Sequence, residues 1–204
     1  MPNTGKEFEN DFKKSVEEYP EIWIYRPTDF GGGQAARFTN HSLCDYILFN
    51  NITQALFLLE LKTIQGKSIS CPSIELLSSI NEIESQITAT KDTEHKKELK
   101  KVLKELLHKG NSYKIKQHQI KGLLEVENND VYLHIHPYVI INFRDSNETF
   151  VCKPSQLLKI LSATGKSSLN TEDLKQYNCK ILEQNHIRNT KRWKYEVKEM
   201  LYKW

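Results

Sequence analysis

Two carboxylates and a lysine stand out in His41–Lys62, HSLCDYILFNNITQALFLLELK. The stretch reads as two short apolar strands joined by a turn. Asp45 lies near the start of the first strand, and Glu60 and Lys62 lie near the end of the second. Charge inside an apolar strand is costly unless it has a partner or a task. Two residues apart on a strand, Glu60 and Lys62 point to one face, and in a hairpin Asp45 meets them across the ladder. Two carboxylates and an ammonium suit a hard divalent cation and an activated water. The carbonyl of Leu61, between the two charged positions, is a further candidate oxygen ligand, and Lys62 would orient the water and stabilise charge on a scissile phosphate. A buried structural ion pair, or two charges at a strand end, fits the same letters.

The elements that must position this trio follow from periodicity. Phe8, Phe12, Val16 and Tyr19 recur at helical spacing, so residues 4–19 are expected as a helix, with Glu9 at the edge of its apolar stripe. From its position alone Glu9 reads first as a solvated charge in the opening turns of the helix. Pro20 ends the helix, and EIWIYR is a short strand. PTDFGGGQAARFTN follows, a glycine-rich loop that offers Gln34 and Arg37 to phosphates or is plain surface. It matches neither a P-loop nor a dinucleotide fingerprint. Two apolar helical stripes, Ile74–Ile87 and Leu99–Leu107, predict a helical hairpin closed by Gly110 and Asn111.

SYKIKQHQIKGLLEV predicts a further helix carrying Lys114, Lys116, His118, Gln119 and Lys121. VYLHIHPYVIINF is strand material expected to break at Pro137, with His134 and His136 on one half-exposed face. TFVCK predicts another strand and Pro154–Leu161 a helix. After a polar loop, turn and strand, Arg188–Trp204 is expected as a closing basic amphipathic helix, with Trp193, Val197, Met200, Leu201 and Trp204 as its stripe. The order predicts an α/β fold, a mixed β-sheet flanked by helices, in a single domain spanning 1–204.

Formal net charge is +3, a mild excess concentrated in the last segment, where Arg188, Lys191 and Arg192 lie close together. The four cysteines are scattered without zinc-ligand spacing. The opening MPNTGKEFEN lacks a secretory pattern, and no apolar run is long enough to span a bilayer. The expectation is a soluble, cytoplasmic protein with reduced thiols.

A resemblance joins these pieces. GKEFE, YRPT, the acid of SLCDY, LELKT followed by KSIS, HQIKGL, YVIINF, TFVCKPSQL and GKSSLNTEDL occur in that order. In this order they resemble the PD-(D/E)XK nuclease superfamily and, within it, the RecU-type Holliday-junction resolvases of Gram-positive bacteria and their phages. The resemblance implies a restriction-endonuclease-like core. It implies Asp45 and Glu60 as ligands of Mg2+ or Mn2+, Lys62 as catalytic lysine, Glu9 completing the acidic cluster, and Gln119 positioning the site. It also implies a homodimer that nicks a four-way DNA junction symmetrically. The chain departs from the pattern by inserting the helical hairpin, approximately 71–111, which would extend a dimer interface, embrace a DNA arm or bind a partner protein. Arg37, Lys114, Lys116, Lys121, Arg188, Lys191 and Arg192 are the expected phosphate contacts. Two alternatives stay open: a restriction-type or repair nuclease acting on duplex DNA, and a non-cutting DNA- or protein-binding module on the nuclease fold.

Overall fold

The structure, a computed structural model, describes residues 4–27 and 42–203. The glycine loop with Gln34 and Arg37, and Trp204 at the chain end, lie outside the described residues. The fold is α/β: a mixed six-stranded sheet flanked by helices. Its strands are β1 (Ile22–Tyr25), β2 (Tyr46–Asn50), β3 (Ala55–Ile64), β5 (Ile135–Phe143), β6 (Glu148–Cys152) and β8 (Lys180–Ile181), in that spatial order. Only β3 and β5 run parallel; every other neighbouring pair is antiparallel.

Period-two alternation divides the core. Phe57, Leu59 and Leu61 of β3 face helix α1 (Thr4–Val16), whose Phe8, Phe12 and Val16 fall four residues apart on one side. Burying each such side chain stabilises the fold by roughly 1.5–3 kcal/mol. Leu58 and Ile64 face the opposite way, toward α4 (Gln117–Glu127) and α5 (Pro154–Thr164). Glu60 shares the parity of that second set, so the apolar packing beneath α4 carries a carboxyl group into the interior.

Pro137 does not break its strand. Leu56 N–H donates to the His134 carbonyl, so even-numbered residues of β5 aim their backbone groups at β3 and Pro137 aims away. On that side β6 first pairs at Val139, so the missing proline N–H costs no ladder bond. The expected helical hairpin is present as α2 (Ile74–Ala89) and α3 (Thr93–Ser112), capped by Ser73 and Asp92. Between β3 and α2, β4 (Ser68–Ser70) pairs with β7 (Ser168–Asn170). Gly110 sits inside α3 instead of closing it. A Cβ there would lie 2.6 Å from Gln117 Cβ, so the glycine lets α3 press against the start of α4.

The closing helix is a correction. After α6 (Thr171–Gln176) and β8, the chain forms a hairpin of β9 (Gln184–His186) and β10 (Trp193–Tyr195), then only a short α7 (Lys198–Tyr202). The physical reason lies in α1. Asp11 accepts the Trp193 N–H at 2.9 Å, and Ser15 Oγ accepts the Tyr195 N–H at 2.9 Å. Those amides are thereby held in an extended segment, with Asn189 turning at φ 60°. Among the described residues, no helix is long and apolar enough to cross a membrane. The four cysteines are buried free thiols.

Candidate active site

The β2–β3 hairpin brings the two carboxylates together. Its register pairs Tyr46 with Leu59, and the Asp45 N–H also donates to the Leu59 carbonyl at 2.9 Å, so Asp45 forms a bulge at the end of the ladder. Asp45 thereby borders the same cleft as Glu60, close enough for the two carboxyl groups to act on each other. The Leu61 N–H donates to Asp45 Oδ2 at 2.8 Å, which fixes the aspartate's orientation. Backbone groups of one strand residue point to the same side, so the Leu61 carbonyl opens on the Asp45 edge as well.

Glu60 is fully buried. Its Oε1 receives Gln119 Nε2 at 2.6 Å and is paired with the Lys62 ammonium. Gln119 is itself held, because its Oε1 accepts the Lys116 N–H at 3.2 Å at the start of α4. The amide is thus oriented with its nitrogen toward Glu60, and the positive end of the helix faces the acid. Gly122 of α4 makes this approach possible: a Cβ there would fall 2.3 Å from Leu43 Cδ1, just before Asp45 in the chain. Glu60 Oε2, by contrast, is buried with no hydrogen-bond partner.

The electrostatics follow from that burial. Removal from water pushes the Glu60 carboxyl up to about 8; Lys62 opposes the rise and the like charge of Asp45 adds to it. Glu9 is also raised by burial, while Arg26 opposes, and it feels the charges of both Asp45 and Lys62. Its Oε2 accepts Arg26 Nη2 at 2.5 Å. Glu9 thus borders the cluster, with a partner of its own. Cys44 lies next to these acids, and burial pushes its thiol up to about 12, so it is not a nucleophile.

A small polar cleft of about 120 Å³ opens over the acids, walled by Arg26, Ser42, Lys116, His118 and Gln119. Reading the chain assigned no role to Arg26, although it ends an aromatic strand directly before a proline. Nor did it place His118 beside the acids; the helical spacing of His118 and Gln119 was the available signal.

Among the described residues, no three His, Cys, Asp or Glu side chains converge as a metal cluster. The donors present are Asp45, Glu60 and the Leu61 carbonyl. That set fits Mg2+ or Mn2+ in a hydrolytic site, where one or two carboxylates are completed by water and substrate phosphate. Glu60 Oε2, buried without a hydrogen bond from the chain and close to the like-charged Asp45, is the observation that favours the fit, since a cation would compensate both carboxylates.

The expected phosphate contacts divide. Lys116 is exposed on the rim of the cleft over the acids. Lys114 is exposed on a neighbouring cleft of about 670 Å³ lined by Thr63, Ser68, Ser70 and Ser168. Arg188 and Lys191 are exposed in the β9–β10 connection. Lys121 instead reaches Glu84 of α2 at 2.7 Å and ties the hairpin to α4. Arg192 donates from Nε to Asp11 at 2.7 Å and ties the closing hairpin to α1. Arg37 lies outside the described residues.

No family model matches the chain, and no match was found among curated proteins.

Proposed function

We propose that this protein is a divalent-metal-dependent endonuclease of the PD-(D/E)XK type, and that its substrate is branched DNA of the four-way-junction kind. One observation carries the reading: a fully buried glutamate beside a second carboxylate, with one oxygen held by Lys62 and Gln119 and the other left without a partner. A structural ion pair repays its burial best when the remaining lone pairs of the carboxylate are also bonded.

Bound at Asp45, Glu60 and the Leu61 carbonyl, Mg2+ or Mn2+ would supply Lewis acidity toward the phosphodiester and lower the pKa of a water. The chain's own groups do the positioning. Leu61 N–H aims Asp45, and Gln119 fixes Glu60 while drawing on the α4 N-terminus. Lys62 places an ammonium where negative charge grows on the scissile phosphate. Arg26 holds Glu9 at the border of the cleft, and Lys116 and Lys114 offer salt-sensitive contacts to neighbouring phosphates. A homodimer would supply the paired nicks that junction resolution needs.

The test is cleavage of a synthetic four-way junction with Mg2+, beside a linear duplex of the same sequence. Paired nicks in the junction, with Glu60→Ala and Lys62→Ala each slower by at least about a hundredfold, are expected. Equal activity in wild type and Glu60→Ala would sink the proposal, and preferential cutting of the duplex would retain the chemistry but move the substrate.

A further inference from the structure

Strand β1 is the edge of the sheet, and two of its four side chains face water although they are aromatic. Trp23 is 52% exposed and Tyr25 45% exposed. Their rings lie nearly parallel, with centroids 5.6 Å apart and planes 5° apart. Ile22 and Ile24, between and beside them, point into the core under α1. Trp23 and Tyr25 therefore occupy the opposite face, which is the face of Glu60.

The register gives the separation. Tyr25 pairs with Ile47, and Ile47 follows Asp45 by two residues. Tyr25 is thus one strand away from the catalytic hairpin and one pleat repeat along it, about 5 Å across and about 7 Å along. The next residues of the same strand end, Arg26 and Pro27, form part of the catalytic cleft wall, with Lys116 also lining it. Flat aromatic surface thereby lies one strand from a polar cleft that is built over the acids and rimmed by Lys116. A polynucleotide has the matching chemistry, anionic along its backbone and flat on its bases. Bases inside a duplex arm hide their faces in the stack, so such a surface takes bases that are unpaired or unstacked where strands branch.

We infer that Trp23 and Tyr25 form a stacking platform for unpaired nucleobases of the strand whose phosphate enters the catalytic cleft. The inference rests on the nuclease reading and sharpens its substrate: DNA opened next to the cut. Stacking is sequence-tolerant, because every base has a π-face. The platform therefore selects for open structure and not for sequence.

The experiment uses the full chain carrying Glu60→Gln, so that nothing is cut, with Trp23→Ala, Trp23→Phe or Tyr25→Ala added. Affinity is measured for a single-stranded oligonucleotide, a four-way junction and a blunt duplex. Trp23→Ala is expected to weaken single-strand and junction binding by about 5- to 100-fold, and Trp23→Phe to restore most of it. Duplex binding is expected to change by less than about twofold, and single-stranded DNA to quench Trp23-dependent fluorescence. Equal loss on all three DNAs, or loss on none, overturns the inference. So does dissociation of Trp23→Ala into smaller species in sedimentation, which would assign this face to a second copy of the chain.

Cleavage by the chain with Glu60 intact is scored separately. Trp23-dependent binding without any cutting would overturn the nuclease reading and leave the platform; cutting with Trp23-independent binding would do the reverse. Absence of binding to any DNA overturns both.

Discussion

Glu60 and Asp173 are both buried acids with a lysine and an amide-bearing residue beside them, yet they are built for different ends. Asp173, in the first turn of α6, uses both oxygens: Lys166 Nζ donates to Oδ1 at 2.6 Å and the Asn170 N–H to Oδ2 at 3.0 Å. Its own N–H returns a bond to Asn170 Oδ1 at 2.8 Å, which closes a reciprocal cap. Glu60 concentrates Lys62 and Gln119 on one oxygen and leaves the other bare. Burial raises both groups, but for Asp173 the bonds from Lys166 and Asn170 outweigh it and hold the carboxyl below its usual range. Glu60 stays raised, at about 8. The satisfied acid holds a helix; the other, on the proposed reading, is the acid that would take a cation.

The largest effect that separates them is on cleavage. Glu60→Gln keeps the shape of the protonated acid but removes the anion, and should slow junction cutting by at least about a hundredfold. Its urea midpoint at pH 8.5 should not fall below that of wild type. Asp173→Ala should do the opposite. It should lose about 2 kcal/mol of stability through the broken cap and the unpaired neighbours, with cleavage per folded molecule unchanged. A stability loss in Glu60→Gln as large as that in Asp173→Ala would erase the distinction.

The two acids also predict opposite pH dependence for the metal-free protein. Glu60 is raised from 4.5 to about 8 on folding, so its contribution is full below pH 4.5 and is lost as pH rises through about 8. Asp173 is lowered from 3.8, so its contribution is present above that value and is lost as pH falls through the folded value. Urea midpoints against pH for wild type, Glu60→Gln and Asp173→Asn check this. Glu60→Gln should flatten the alkaline decline, and Asp173→Asn should flatten the acid one.

A smaller effect concerns Gln119. Its loss leaves Glu60 in place but free to turn, so Gln119→Ala should reduce cleavage by about tenfold. Raising Mn2+ concentration should recover part of the loss. No recovery at saturating Mn2+, with metal affinity equal to wild type, would show that Gln119 acts other than through Glu60.

How much of this could be read from the chain depended on how local the cause was. The β2–β3 hairpin follows from alternation and apolar runs, and its period placed Glu60 and Lys62 on one face, whereas the bulge that seats Asp45 beside them left no mark in the pattern. The stripe of α1 and the hairpin of α2 and α3 were equally local. The fate of residues 188–204 was not. Trp193, Val197, Met200 and Leu201 suit helical spacing, but Asp11 and Ser15, far away in the chain, claim the amides that decide the matter. Lys121 and Arg192 looked like phosphate contacts because their partners, Glu84 and Asp11, are tertiary neighbours. Pro137 argued for a break until the end of β6 removed the cost. In the site itself the residue types were visible, but the bare oxygen of Glu60 was not, since it depends on where Gln119 and Lys62 both point.

The most direct test is a crystal grown or soaked with Mn2+, read by anomalous scattering. The expected result is one ion touching Asp45 and Glu60 Oε2 at about 2.2 Å, with the Leu61 carbonyl among its ligands, and no ion in Glu60→Gln. A wild-type crystal at saturating Mn2+ with no ion between these carboxylates, or with an ion that leaves Glu60 Oε2 untouched, would contradict the account.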